Sequence, residues 1–530
     1  MYRLLTASLI LVSLAACGGS SGGGGDVAGG GSNSGWVQGT FEDYNTFYAR
    51  CAAPRSGINP ATGRPYPDVA GTTLDENNFL RSYSNDTYLW YSEIVDRDPG
   101  DYNDPLTYFD LLKTDGLSPS GQPKDKFHFT YDSEEWYQLS QGGVSAGYGI
   151  QWALLSTTPP RELLIAYTEP NTPATNIPQP LARGARILEI DGVDINDGTQ
   201  AGIDTLNAGI FPSSAGETHT FTVQDLGSTG TRSVTLVSAT ITSTPVQDTQ
   251  VLSTPTGEVG YFVFNDHIAT AEQALIDVVN QLNAHDGGNG IDDLVLDLRY
   301  NGGGYLAIAS ELAYMIAGAG TTAGQTFEEL QFNDKYPNTN PVTGQTLSPT
   351  PFYSEAIGSP FNGTAGQPLP TLDLGRVYVL IGSGTCSASE AIINGLRGVG
   401  VEVYVFGSTT CGKPYGFYPA DNCGTTYFTI QFSGINAAGF GDYSDGFSPE
   451  NASGAGEDVP GCSVADDFTK ALGDPTEERL ATALAYRDGA ACPAATGFAP
   501  GVMAISEGPD VDQVVVTPKS PWHTNRIYRQ

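Results

Sequence analysis

Residues 382–398 read GSGTCSASEAIINGLRG, a loop of small residues running straight into an apolar helical pattern with Ser387 at the junction. Behind this stretch lies RVYVLIG (376–382) and ahead of it VEVYVFG (401–407), both continuous apolar runs of strand length. A strand–loop–helix–strand unit implies parallel pairing through a right-handed crossover. The stretch therefore sets the fold class of its surroundings as α/β. Ser387 itself has two readings. Ser387-Ala388-Ser389-Glu390 is a capping box, in which a serine caps a helix and an acid three residues on reaches back. Alternatively Ser387 is a nucleophile held at a helix start.

Working outward, the βα pattern covers about 233–494. EVGYFVFN (258–265) reads as a strand, followed by a helix carrying Ala271, Leu275, Val278, Val279 and Leu282. DLVLDLR (293–299) is a buried-strand pattern ending in Asn301-Gly302-Gly303-Gly304, and YLAIASELAYMIAG is the next helix. TTYFTIQFSG (425–434) adds β structure, and Asp474-Pro475 is expected to start a last helix. In parallel sheets chemistry gathers at loops beyond the strands' carboxyl ends. Loops 301–304, 382–387 and 407–413 hold that position. Lys413 follows the strand after the one leading to Ser387, 26 residues on. If those strands are neighbours, the two side chains share a sheet edge.

A serine hydroxyl needs a base, and an amine serves only if its pKa of about 10.4 falls, which burial achieves. Lys413 is one of seven lysines and stands beside Pro414, Tyr415, Phe417 and Tyr418. The N–H of Ala388, following the candidate nucleophile, is placed for a developing oxyanion. Glycine loop 302–304 allows a second donor to approach closely.

The upstream segments differ in character. Residues 37–138 read as a mainly helical domain. Thr73-Leu74-Asp75-Glu76 is a capping-box pattern ahead of Phe79, Leu80, Tyr83 and Trp90, and Asp104-Pro105 is a cap with proline at the first helical position. Residues 139–232 alternate short β-like runs with turns. Gly147-Tyr148-Gly149-Ile150, followed by GARILEIDGVDIND (184–197), resembles a PDZ domain. That resemblance implies that Gly147, Tyr148, Gly149 and Ile150 present backbone N–H groups to a peptide's C-terminal carboxylate, the peptide adding to a sheet edge.

The whole chain has 530 residues, enough for two to four domains. Its 24 basic and 59 acidic residues give a net charge of −35, which argues against nucleic acid or anionic lipid as an electrostatic partner. MYRLLTASLILVSLAAC (1–17) has one arginine, a short apolar run and small residues before Cys17. It resembles a bacterial lipoprotein signal: 1–16 removed, Cys17 lipidated, and Gly18 favouring the outer membrane, facing the periplasm. Residues 17–36, rich in Gly and Ser, form a flexible tether, and 495–530 a tail. The lipid is then the sole expected anchor. Six further cysteines, 51, 386, 411, 423, 462 and 492, suit disulfides in an exported chain. Cys411 and Cys423 are the expected local pair. No spacing fits a zinc motif, and no metal or other cofactor is expected.

Taken in order after a PDZ-like segment, DLRYNGGG, TCSASE and CGKP resemble the tail-specific, or C-terminal processing, serine peptidases over roughly 140–450. The resemblance implies Ser387 as nucleophile, Lys413 as general base, and Gly303 and Ala388 as the oxyanion hole. It implies hydrolysis of proteins or peptides with apolar or unstructured C-termini through an acyl-enzyme. Two positions depart from the family pattern. Phe417 stands where many relatives have a glutamine that orients the lysine. Cys386, beside the nucleophile, is unusual there; it could pair with Cys411 and brace the site. Two rivals stand against this reading. One is a Ser-His-Asp enzyme using His267, although the chain lacks Gly-x-Ser-x-Gly at Ser387. The other is a catalytically inactive, tail-binding lipoprotein scaffold, which the Phe417 departure favours.

Overall fold

The computed structural model describes residues 35–494 except 61, 157, 158, 454 and 455. The expected leader, Cys17, nearly all of the tether and the 495–530 tail lie outside the described residues. Among the described residues no helix is long and apolar enough to cross a membrane.

The centre is a six-stranded sheet in the order Val246–Thr254, Gly257–Phe264, Asp293–Asp297, Arg376–Ile381, Glu402–Gly407, Gly461–Ser463. The first pair is antiparallel and every later pair parallel. Because side chains alternate across a strand, the continuous apolar runs feed two cores. Leu294, Leu296, Val377 and Val379 face helices Ala271–Asn283, Leu306–Thr322 and Ala388–Gly398. Val295, Tyr378, Leu380 and Phe406 face helix Glu478–Arg487. Strands Arg376–Ile381 and Glu402–Gly407 are neighbours in register Ile381↔Gly407. The loops that follow them therefore leave the same sheet edge, as expected.

Residues 150–237 form an antiparallel sheet in the order Arg232–Val237, Thr218–Gln224, Arg186–Ile190, Glu162–Thr168, Ile150–Ser156. Helix Gln200–Ile210 closes its core with Ile203, Leu206 and Ile210. Asp191 and Gly192 both have positive φ, 51° and 78°, and join a two-residue hairpin with Val193 opposite Ile190. That is why the sequence places Asp-Gly there.

Several expectations need correction. Residues 37–138 are only partly helical: helices Thr73–Thr87 and Pro105–Asp110 stand among short strands and 3₁₀ turns. Strand Phe129–Asp132 pairs with Thr425–Phe428, so this region is woven into the C-terminal half. The expected boundaries at 138/139 and 232/233 each fall inside an element, helix Ser133–Gly142 and strand Arg232–Val237. The first helix is capped by Thr72 with Asp75, one residue earlier than expected. Asp104-Pro105 caps as read. The last helix starts after Glu477, not at Asp474-Pro475, because Glu477 is also held by Arg299. The run 425–434 breaks into Thr425–Phe428 and Phe432–Ile435, which belong to different sheets. The disulfides are Cys51–Cys423, Cys386–Cys411 and Cys462–Cys492. The Cys411–Cys423 pairing is thus wrong, since a bond spanning 372 residues leaves no local trace.

Candidate active site

Ser387 sits at the N-cap of helix Ala388–Gly398 with φ 66° and ψ −116°. A non-glycine residue there costs of the order of 1–3 kcal/mol and persists only where its surroundings over-determine it. They do. The Ser387 N–H donates to Glu390 Oε2 at 2.8 Å, and the Cys386 N–H donates to the Asn301 carbonyl at 3.1 Å. The Thr385 hydroxyl donates to the Leu298 carbonyl at 2.8 Å and the Ser389 hydroxyl to the Asn301 carbonyl at 3.0 Å. Ser389 thereby ties the helix start to the glycine loop.

The lysine loop lies against this one. The Cys411 N–H donates to the Thr385 carbonyl at 3.0 Å, and the Cys386–Cys411 disulfide crosses alongside. Glu390, fully buried, joins the two loops. Its Oε2 accepts the Ser387 and Lys413 N–H groups at 2.8 and 2.9 Å. Its Oε1 accepts the Gly412 N–H at 2.9 Å and the Thr410 hydroxyl. The Thr410 oxygen in turn accepts the Phe447 N–H at 2.7 Å, so its own proton goes to Glu390. Four donors favour the ionised form of this carboxylate, against burial, which pushes its pKa upward. The disulfide sulfur of Cys411 lies 3.3 Å from its Oε2. One oxygen atom thus holds the backbones of Ser387 and Lys413 together.

Lys413 is 1% exposed. Its Nζ has no hydrogen-bond partner and lies 4.7 Å from the Phe127 ring centroid and 4.4 Å from that of Phe417. Burial lowers its pKa to about 7, against the opposing pull of the Asp125 and Glu390 carboxylates. Phe417 is itself buried among Trp136, Phe428 and Phe129. The amine therefore sits between aromatic faces instead of against an amide.

Gly303 has φ 96°, and a Cβ there would stand 2.7 Å from the Cys386 carbonyl, 2.8 Å from Ser387 Cβ and 2.9 Å from Ala388 N. Only glycine permits that approach. Ala388 opens the helix, so its N–H has no partner within it. The Gly303 N–H, by contrast, donates to Asn301 Oδ1 at 2.9 Å. Asn301 Nδ2 donates to the Phe264 carbonyl at 2.9 Å, which fixes Oδ1 as acceptor. His267 Nδ1, 3.0 Å from that oxygen, therefore carries the proton. His267 Nε2 is buried without a hydrogen-bond partner, and burial lowers the ring's pKa to about 4. The imidazole is a neutral prop for the glycine loop and makes no hydrogen bond to Ser387.

Sequence reasoning missed Asn301 and Glu390 as the hubs of the two loops, and Asp125 and Phe127 altogether. Glu390 was visible as a capping partner, but nothing local signals Phe127, 286 residues from Lys413 in the chain. Cys386, Glu390 and Cys411 place ligand-type atoms within 4.8 Å of one another. Their two sulfurs are bonded to each other, which leaves no thiolate to coordinate a metal. A cavity of about 350 Å³ opens beside the lysine loop, lined by Pro414, Tyr415, Ile435, Phe440 and Asp442 among others.

Of the stretch Gly147-Tyr148-Gly149-Ile150, Gly147 ends strand Val144–Gly147, which pairs with Ala239–Thr242 in a separate two-stranded sheet, and Ile150 begins the antiparallel sheet's edge strand Ile150–Ser156. Gly149 has φ 75° against Thr172. The Tyr148 and Gly149 carbonyls accept from the Ala174 and Glu169 N–H groups. The two units meet through Arg183, which donates to Tyr300 Oη at 2.6 Å and to Asp466. Asp466 also holds Arg299, beside the glycine loop.

A search of curated proteins finds no match to this sequence. Among solved structures the chain is similar to a candidate S41 protease from Bacteroides fragilis NCTC 9343, with TM-score 0.55 and 21% identity over 80% of this chain and 98% of that one. It is also similar to a photosystem II D1 C-terminal processing protease, with TM-score 0.39 and 17% identity over 70% of this chain and 90% of that one. The first likeness supports the overall α/β arrangement. Residues 258–416, which span the glycine loop, Ser387 and Lys413, match the model of peptidase family S41. The part of the chain that holds the candidate site is thus similar to peptidase family S41.

Proposed function

We propose that the protein is a serine endopeptidase with a Ser387/Lys413 dyad. Ser387 Oγ attacks the scissile carbonyl as its proton passes to the neutral Lys413 amine. The oxyanion is received by the Ala388 N–H and by the Gly303 N–H, which must turn away from Asn301 Oδ1 to do so. The protonated lysine then gives its proton to the leaving amine, and water, deprotonated by the same group, releases the acyl-enzyme. One observation carries this reading: an unpartnered amine, buried and poised at about pH 7, on a loop bonded to the serine's own loop.

Substrate capture is assigned to the antiparallel unit read as a PDZ domain. Its edge strand Ile150–Ser156 follows Tyr148-Gly149 and, among the described residues, pairs with a strand on one side only, the arrangement that strand addition needs. Lipidation at Cys17 would hold the enzyme to the outer membrane, facing periplasmic proteins with unstructured or apolar tails.

The test is cleavage of an unfolded protein with an apolar C-terminal tail by the form lacking residues 1–17, read by mass spectrometry. Ser387→Ala and Lys413→Ala run beside it. Cleavage by the unaltered protein alone supports the dyad. Binding without cleavage across neutral and alkaline pH sinks it in favour of an inactive tail-binding scaffold, a reading that the engaged Gly303 N–H favours.

A further inference from the structure

Phe127 belongs to the N-terminal region, yet its ring reaches into the catalytic loops. It is 5% exposed and packs in one cluster with Cys386, Ile430, Cys411 and Tyr415. It is placed there by several independent ties. The Phe127 N–H donates to Asp125 Oδ1 at 2.9 Å. Asp125 Oδ2 is fixed by the Tyr88 hydroxyl at 2.7 Å. Lys126 Nζ donates to the Cys411 carbonyl at 3.3 Å. Two residues on, strand Phe129–Asp132 pairs with Thr425–Phe428, and Phe129 stacks on Phe428 at 4.3 Å. Phe417, the other ring at the amine, packs on Phe428 at 5.1 Å.

We infer that Phe127 is a positioning residue for the general base: with Phe417 it forms an aromatic clamp that holds the Lys413 amine and excludes water from it. The clamp takes the place of the orienting amide that Phe417 replaces. Two π faces attract an ammonium but bring no hydrogen-bond donor to a neutral amine, so its lone pair is left for a serine proton. The N-terminal region then completes the active site instead of merely covering it. The inference rests on the peptidase reading for its consequence but not for its geometry.

Titration is the readout that a purely structural role would leave unmoved. The charged and titratable groups around the amine are Asp125 and Lys126 on the Phe127 segment, Tyr88 behind Asp125, Glu390 on the serine helix, and Tyr415 on the lysine loop. None of them changes in Phe127→Ala. Opening the site to water favours the ammonium. The acidic limb of kcat/KM for tail cleavage should therefore move at least one unit to higher pH. That is about a tenfold loss below the limb, recovered at alkaline pH. Phe127→Leu, which keeps the site dry, should hold the limb in place. Phe127→Val serves if the alanine variant does not fold, with a smaller shift in the same direction. A limb that stays put in a folded Phe127→Ala or Phe127→Val protein overturns the clamp, as does uniform loss at every pH.

Acylation of Lys413 by acetic anhydride in a Ser387→Ala background, followed against pH by peptide mass spectrometry, reports the same titration without turnover. If nothing is cleaved but this midpoint rises in Phe127→Ala, the clamp stands and the peptidase reading falls. If cleavage is normal and the midpoint is unmoved, the clamp falls.

Discussion

Replacing Lys413 by methionine should make the protein more stable, and the gain should depend on pH in a prescribed way. Methionine matches the length of the lysine stem and can fill the same space between Phe127 and Phe417. What it removes is an amine with a pKa of about 7 in the folded chain, against 10.5 when exposed. Each unit corresponds to about 1.4 kcal/mol, so the amine costs the fold roughly 5 kcal/mol below about pH 7, where both the folded and the unfolded chain carry the proton. The folded pKa is lowered, so between pH 7 and 10.5 the unfolded state binds more protons and the cost shrinks as pH rises. The variant's advantage should therefore be complete at pH 6 and gone above pH 10.5. Urea denaturation midpoints for the two proteins, taken from pH 6 to pH 10, give the difference directly. A variant that is less stable at pH 6, or whose advantage does not fade with pH, would refute the claim that the amine is held neutral by burial.

Glu390→Gln removes a charge that favours the ammonium, so the acidic limb of cleavage should move to lower pH, opposite to the shift expected for Phe127→Ala. The amide also leaves N–H donors of the two loops facing another donor. Unfolding titrations should show a loss of about 2–6 kcal/mol. Gly303→Ala forces a Cβ to within 3 Å of Cys386 O, Ser387 Cβ and Ala388 N at φ 96°. Turnover should drop at least a hundredfold with tail binding unchanged, as measured by kcat and by peptide affinity. Glu311, buried against Glu272, has its pKa raised to about 9. The folded state thus holds a proton that the unfolded chain has lost, and stability should fall as pH rises from about 4.5 to 9. Glu311→Gln should flatten that decline in a denaturation series.

The parallel core was legible because period and composition agree there. Asp293–Asp297 and Arg376–Ile381 are buried on both faces and read as unbroken apolar runs. Strand adjacency, hence the meeting of the Ser387 and Lys413 loops, stayed a condition in the sequence and is supplied by the pairing Ile381↔Gly407. What the sequence concealed is whatever depends on distant partners. Strand Phe129–Asp132 has its partner nearly 300 residues away. The run 425–434 looks continuous but turns from one sheet to another at Thr429–Gln431. Glu477 outcompetes Asp474 as a cap because Arg299, from another strand, holds its carboxylate. His267 looked like a candidate base by its place after a strand, and only the orientation of the Asn301 amide shows it as a neutral prop.

Two features of the site work against stability, a positive-φ serine and a buried amine, and the fold answers both with the same group. Glu390 sits where it can hold the serine's N–H and the lysine's N–H on one oxygen, so the strained serine and the desolvated lysine are fixed relative to each other. Yet a carboxylate this close to an ammonium would tend to keep it protonated. Burial outweighs that pull, while Glu390 spends its oxygens on four donors, the lysine's backbone among them, and the amine itself is turned between two rings. Charge needed for positioning is thereby separated from the atom that must stay neutral. An aromatic surround at Phe417 is then consistent with catalysis: it supplies the dryness that lets a lysine act as a base near neutral pH, which a polar orienting group alone would not.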